Sequence, residues 1–153
     1  MRVSTKSDYA LRALIEMASG DPSRGPLSAE VLGNDQDIPR GFLLTILGDL
    51  RRAGLVQSQR GPAGGWRLAK PADEVSVADV IRAVDGPLVS VYDQRPEAVA
   101  YNGNAAPLQR VWISARHALR SVFEHVSIQQ LADDDLPDEV TRRTEDEDAW
   151  RSH

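Results

Sequence analysis

Arg60-Gly61-Pro62-Ala63-Gly64-Gly65-Trp66-Arg67 links two short extended runs, Leu55-Val56-Gln57-Ser58-Gln59 and Trp66-Arg67-Leu68-Ala69. Three glycines and a proline at its tip predict a β-hairpin. Upstream, Pro39 carries a fixed φ suited to a first helical turn, and Phe42, Leu43, Ile46, Leu47 and Leu50 recur at spacings of 1, 3, 1 and 3 before Gly54. Ser28 can cap a shorter helix holding Ala29, Val31 and Leu32, and Gly20 to Pro26 forms the break before it. Between Ser4 and Ser19, Tyr9, Ala10, Ala13, Leu14, Met17 and Ala18 follow spacings of 1, 3, 1, 3 and 1, one face of a helix. Three helices followed by a glycine-tipped hairpin is the order of a winged helix-turn-helix.

Beyond the hairpin, Ser76 can cap a fourth helix with Val77, Val80, Ile81 and Val84, stopped by Asp85-Gly86-Pro87. Leu88 to Pro107 shows no sustained period. Leu108, Val111, Trp112, Ala115, Leu119, Val122, Phe123 and Val126 then follow spacings of 3, 1, 3, 4, 3, 1 and 3, a helix of about five turns with one apolar stripe. The stripe can pack on its own domain or on a second copy, and its large Trp112 and Phe123 favour a two-fold dimer. From Asp133 the chain carries 9 acids and 3 bases, which predicts disorder. The expected fold is mainly α with a small β-hairpin wing: a winged helix-turn-helix over residues 1–86, an irregular loop over 87–106, a dimerisation helix and a short following helix over 107–132, and an acidic tail over 133–153.

Composition bounds what this fold can do. The 153 residues, 41% hydrophobic and 27% charged, can bury one sizeable core and not two full domains. The absence of Cys excludes disulfides, thiolate metal sites, cysteine-held iron–sulfur clusters and thiol chemistry. No apolar run approaches the ~20 residues of a membrane span, and Met1-Arg2-Val3-Ser4-Thr5-Lys6 lacks a signal-peptide core, so a soluble, cytoplasmic protein is expected. The three histidines, 117, 125 and 153, form no metal-ligand spacing, and no Ser-His-Asp or Cys-His set supports catalysis. Neither a cofactor nor enzymatic activity is expected.

The net charge of −5 hides two halves: residues 1–70 hold 10 bases and 7 acids (+3), and residues 71–153 hold 8 bases and 16 acids (−8). Between Pro39 and Lys70 six bases face the single acid Asp49, a focused basic patch. Double-stranded DNA is therefore the expected partner. Pro39, Arg40, Gly41 and Thr45 open the third helix, where backbone N–H groups and Arg40 can meet DNA while Phe42, Leu43 and Ile46 pack inward. Arg40 and Thr45 are candidate base readers. Arg51 and Arg52 close that helix, and Gln59, Arg60, Gly61, Gly64, Gly65 and Arg67 form the hairpin, whose glycines admit a phosphate and whose Arg60 can enter a narrow minor groove. A nucleotide-binding loop is excluded because no Lys-Ser/Thr follows the glycines and a strand comes where a helix should begin. The net negative charge leaves a winged-helix protein-interaction module without a direct DNA role as the alternative.

Several segments in order carry a family resemblance: Ser4-Thr5-Lys6-Ser7-Asp8-Tyr9-Ala10-Leu11-Arg12-Ala13-Leu14, Phe42-Leu43 through Leu50-Arg51-Arg52-Ala53-Gly54-Leu55-Val56, Arg60-Gly61-Pro62 with Gly64-Gly65-Trp66, and Val77 through Val84-Asp85-Gly86. Together they make the chain resemble the Rrf2 family of bacterial winged-helix regulators, over roughly residues 2–132. The resemblance implies a sequence-specific repressor, a homodimer joined through the long helix, bound to a pseudo-palindromic operator. It also implies that Ser4, Thr5, Lys6 and Ser28 lie near phosphates and that Arg60 reaches the minor groove. Cluster-binding members carry three cysteines in the loop before the long helix, and here that loop has none. A regulator of this kind is cluster-free: it senses a small molecule or a partner protein, or acts without an effector.

Overall fold

The computed structural model describes residues 2–21 and 23–152. Helix α1 (Thr5–Ala18) begins at Ser4, whose Oγ accepts from the Ser7 N–H at 2.9 Å, and buries Ser7, Ala10, Ala13 and Leu14 along one face. Helix α2 (Ala29–Gln36) is capped by Ser28 and leaves through Asp37 in the left-handed region. Helix α3 (Arg40–Arg52) turns Leu43, Ile46, Leu47 and Leu50 into the core. It ends where Gly54 adopts φ 74° and the Leu55 N–H reaches back to the Leu50 carbonyl at 2.9 Å, closing the last turn.

Strands β1 (Val56–Gln59) and β2 (Gly65–Leu68) pair antiparallel, with Val56 opposite Leu68 and Gln59 opposite Gly65. Leu27 adds a third short edge. Its N–H donates to the Trp66 carbonyl at 2.9 Å and its carbonyl accepts from the Trp66 N–H at 2.7 Å, which ties the segment before α2 to the wing. This close approach depends on Gly65, at φ 150°, where a Cβ would stand 2.5 Å from the Leu27 carbonyl oxygen.

Helix α4 (Val77–Asp85) starts with a capping box in which Ser76 and Asp79 satisfy each other's backbone N–H groups. Helix α5 (Leu108–Phe123) follows the loop, and α6 (Ile128–Ala132) and α7 (Asp138–Glu145) complete the chain. The segment between α5 and α6 folds back on the N-terminal region: Val126 accepts from the Val77 N–H and Val75 accepts from the Ile128 N–H, both at 2.9 Å. Ile128 is thereby fully buried in the cluster that holds Ala10, Leu14, Ile46, Leu50 and Val80.

Three expectations need correction. Val126 does not extend the apolar stripe of α5, because the helix ends at Phe123 and Val126, 5% exposed, is buried while its carbonyl pairs with α4. Phe42 does not pack inward; it is 59% exposed and meets the Tyr9 ring edge-on at 6.3 Å. Nor does the acidic tail lack regular structure. In α7 Asp138 and Glu139 occupy the first turn and Arg142 and Arg143 the last, matching the helix dipole, and Glu139 pairs with both arginines. Trp150 also donates from Nε1 to the Thr144 carbonyl at 2.7 Å.

Gly65→Ala is expected to lower the unfolding free energy by more than about 2 kcal/mol, through strained backbone and the clash with Leu27, as read by urea denaturation.

Candidate nucleic-acid interface

The outward side of α3 begins with Arg40, which follows Pro39 as the first helical residue and is exposed. Gly41, Leu44 and Thr45 are exposed on the same side, one turn apart, as i, i+3, i+4 spacing requires. The Thr45 hydroxyl donates to the Gly41 carbonyl at 3.2 Å, which leaves both lone pairs of its oxygen free to accept. Nothing lies within 4 Å of where a Gly41 side chain would begin, which leaves the backbone open to close approach. Leu44, 44% exposed, and Phe42 add apolar surface beside Arg40. They were missed because the sequence spacing of α3 fits two rotational settings, and only packing against α1 decides between them.

Arg51 at the other end of α3 lies 6.0 Å from the centroid of the Trp66 ring, so the helix terminus stands against the base of the wing. Arg52 pairs with Asp49. On the hairpin Gln59, Arg60, Gly61 and Arg67 are exposed, Gly61 takes φ 103°, and the Gly64 N–H donates to the Gly61 carbonyl at 2.9 Å to close the tip. Gly64 and Gly65 are half-buried in the turn. Among the described residues, no carboxylate stands within ion-pair reach of Arg40, Arg51, Arg60, Arg67 or Lys70. These five cations stay uncompensated on an acidic protein.

The residues at the start of α1 are engaged within the protein. The Ser4 hydroxyl caps α1 and donates to the Asp85 carboxylate, which also accepts from the Ser7 hydroxyl at 2.5 Å. Lys6 donates to the Val84 carbonyl at 2.8 Å and pairs with Asp49 at 2.5 Å, joining α1 to the end of α4 and to α3. Thr5 is exposed, and the Ser28 Oγ accepts from Val31 while its own proton stays available. Hydrogen bonding from Lys6, then the charges of Lys6 and Arg52, hold the Asp49 carboxyl below the usual carboxylate range against the opposing effect of burial. This acid, read from the sequence as the sole dilution of the patch, also ties α3 to α1 through Lys6.

The sequence profile of the Rrf2 family, described as iron-dependent transcriptional regulators, matches residues 3–134. The chain is 40% identical over 152 residues to an HTH-type transcriptional regulator of Mycobacterium tuberculosis, covering 99% of this chain and 94% of that one. It is 31% identical over 132 residues to the HTH-type transcriptional regulator CymR of Bacillus subtilis, covering 86% and 90%. Among solved structures it resembles CymR, the global cysteine regulator of B. subtilis, with TM-score 0.72, 30% identity and 87% and 97% coverage. It likewise resembles IscR of T. potens, with TM-score 0.69, 25% identity and 88% coverage of each chain. The iron named for the family finds no matching donors here. The chain has no thiolate, and the described residues gather no group of three His, Asp or Glu side chains around a point.

Asp49 stabilises the fold only while ionised. Its depressed folded value means that this contribution is complete above its unfolded value of about 4 and disappears as pH falls through the folded value. Between about pH 5 and pH 3, Asp49→Asn is expected to lose less unfolding free energy than the parent protein, as measured by urea denaturation at each pH.

Proposed function

Because the chain belongs to the Rrf2 family of DNA-binding transcriptional regulators, we propose that it works as a cluster-free homodimeric repressor on a pseudo-palindromic operator. The observation that carries this reading is the set of carboxylate-free cations on α3 and the wing, Arg40, Arg51, Arg60 and Arg67, within a protein of net charge −5. Uncompensated guanidinium groups beside a helix that exposes Gly41 and Thr45 suit a duplex: phosphates release counterions and base edges meet the helix. Arg60 reads the minor groove, Arg40 and Thr45 read bases, and Ser28 and Thr5 meet phosphates. Lys6 acts chiefly by holding α3 in place. Repression follows from a dimer that covers its operator.

Dimerisation is supported by α5, whose Leu108, Val111, Ala115, Leu119 and Val122 share one face. None of them is buried within the single chain; Leu108 is 37% and Val111 55% exposed. Trp112 spends its ring N–H on the Tyr101 hydroxyl at 3.1 Å, and Phe123 lines a small cleft with Ile81 and Leu88, so these two also serve their own chain. No helix among the described residues is long and apolar enough to cross a membrane, in keeping with a cytoplasmic regulator. Its relatives are regulators, and we assign it no catalytic role.

Selection from a random duplex pool at two salt concentrations tests the reading. The expected product is an inverted repeat with half-site centres about 10 bp apart or a multiple of that. A purified dimer that enriches no sequence overturns it. On the selected operator, Arg60→Ala should weaken binding by about 1–3 kcal/mol in fluorescence anisotropy. Leu119→Glu should yield a monomer by light scattering and lose operator affinity.

A further inference from the structure

Four guanidinium groups line one cleft of about 480 Å³: Arg82 of α4, Arg95 of the loop before α5, and Arg116 and Arg120 of α5. Glu97 is the single carboxylate in this lining, and Leu88 supplies apolar wall. The cleft lies on the side of α5 that faces its own chain, where Gln109, seven residues before Arg116, donates to the Val99 carbonyl at 2.7 Å. None of its lining residues belongs to the stripe of Leu108, Val111 and Ala115.

The arginines are held in place and only partly neutralised. Arg116 pairs with Glu97 at 2.5 Å, and Glu124, outside the lining, accepts from Arg120 at 2.9 Å and also from Arg82. Arg95 has no ion pair with any described carboxylate, although its charge reaches Glu97. Hydrogen bonds from Arg120 and Arg82 hold the Glu124 carboxyl down to about 2, so this anchor stays ionised at neutral pH. Asp79 also lies 3.9 Å from Arg82, so four cations against Glu97, Glu124 and Asp79 leave a local surplus of one positive charge in the acidic half of the chain. Guanidinium forks already oriented by carboxylates match the geometry of a planar carboxylate or a tetrahedral phosphate, and preorganisation lowers the cost of binding one.

We propose that this cleft binds a small multivalent oxyanion, a metabolite carrying two or more carboxylate or phosphate groups. Such a ligand bridges α4, which belongs to the DNA-binding unit, and α5, so its effect on operator affinity rests on the regulator reading. Binding itself does not.

Thermal unfolding of the full-length protein in graded citrate or, separately, pyrophosphate, at constant ionic strength with sodium chloride as control, tests the assignment. A saturable rise in Tm of about 5–10 °C at roughly hundredfold excess over Kd is expected with at least one anion. A response to citrate alone identifies a carboxylate ligand, and one to pyrophosphate alone a phosphate. Arg95→Gln, which breaks no ion pair with a described residue and should match the parent Tm without anion, is expected to abolish the rise. Arg60→Gln on the wing should keep it. Absence of a saturable rise with both probes, a rise that survives Arg95→Gln, or a rise that Arg60→Gln abolishes overturns the site, the last by placing the anion on the DNA-facing surface. Because no duplex enters the measurement, failure of the regulator reading would leave its outcome unchanged.

Discussion

Ala10, Ala13 and Leu14 on one face of α1 are completely shielded from water, and the N-terminal region is arranged around them. Two of the three are alanines. Small side chains let neighbouring helices come close to the α1 backbone, so α2 and α3 pack on one side and α4 and α6 on another. A larger residue at Ala10 or Ala13 would push these layers apart, and the outward angle of α3 would change with them. The orientation of α3 therefore depends on the absence of bulk on α1.

Polar ties complete what the apolar contacts begin. Lys6 joins the Val84 carbonyl near the end of α4 to Asp49 on α3, and Asp85 collects the hydroxyls of Ser4 and Ser7. A cation at the C-terminal end of α4 also suits the dipole of that helix. These bonds link the first turn of α1, the last turn of α3 and the end of α4, elements that are distant in sequence. A family resemblance alone assigns Ser4 and Lys6 to DNA phosphates; the bonds they make inside the protein give them structural work first.

Helix periods and turn residues made most of the architecture legible. The caps at Ser28 and Ser76, the stop at Gly54 and the hairpin between Gln59 and Gly65 all follow from local chemistry that needs no knowledge of tertiary contacts. What stayed hidden was non-local. Phe42 and Leu43 are adjacent apolar residues, and only the position of α1 decides which turns inward. Val126 continues the spacing of α5 while belonging to a short pairing with Val77, 49 positions earlier. For the tail, composition suggested disorder, whereas the ordering of its acids before its bases supports a helix. In the candidate interface the cations were readable from charge patterning, but the internal engagement of Ser4 and Lys6 was not. The arginine cleft was likewise invisible, since its members are spread over 39 positions, from Arg82 to Arg120, and meet only when α5 lies beside the loop.

The return of the chain at Val126 to Ile128 has a consequence for how the protein is made. Ile128 is part of the core that supports α1 and α3, and its N–H closes a pairing with Val75. During synthesis the helix-turn-helix emerges early, yet its core lacks this side chain until α4, the loop and α5 have also been translated. Nascent chains that stop short of Ile128 therefore lack one fully buried member of the core that supports α1 and α3. The core beneath the exposed face of α3 is thus closed only by residues that follow α5.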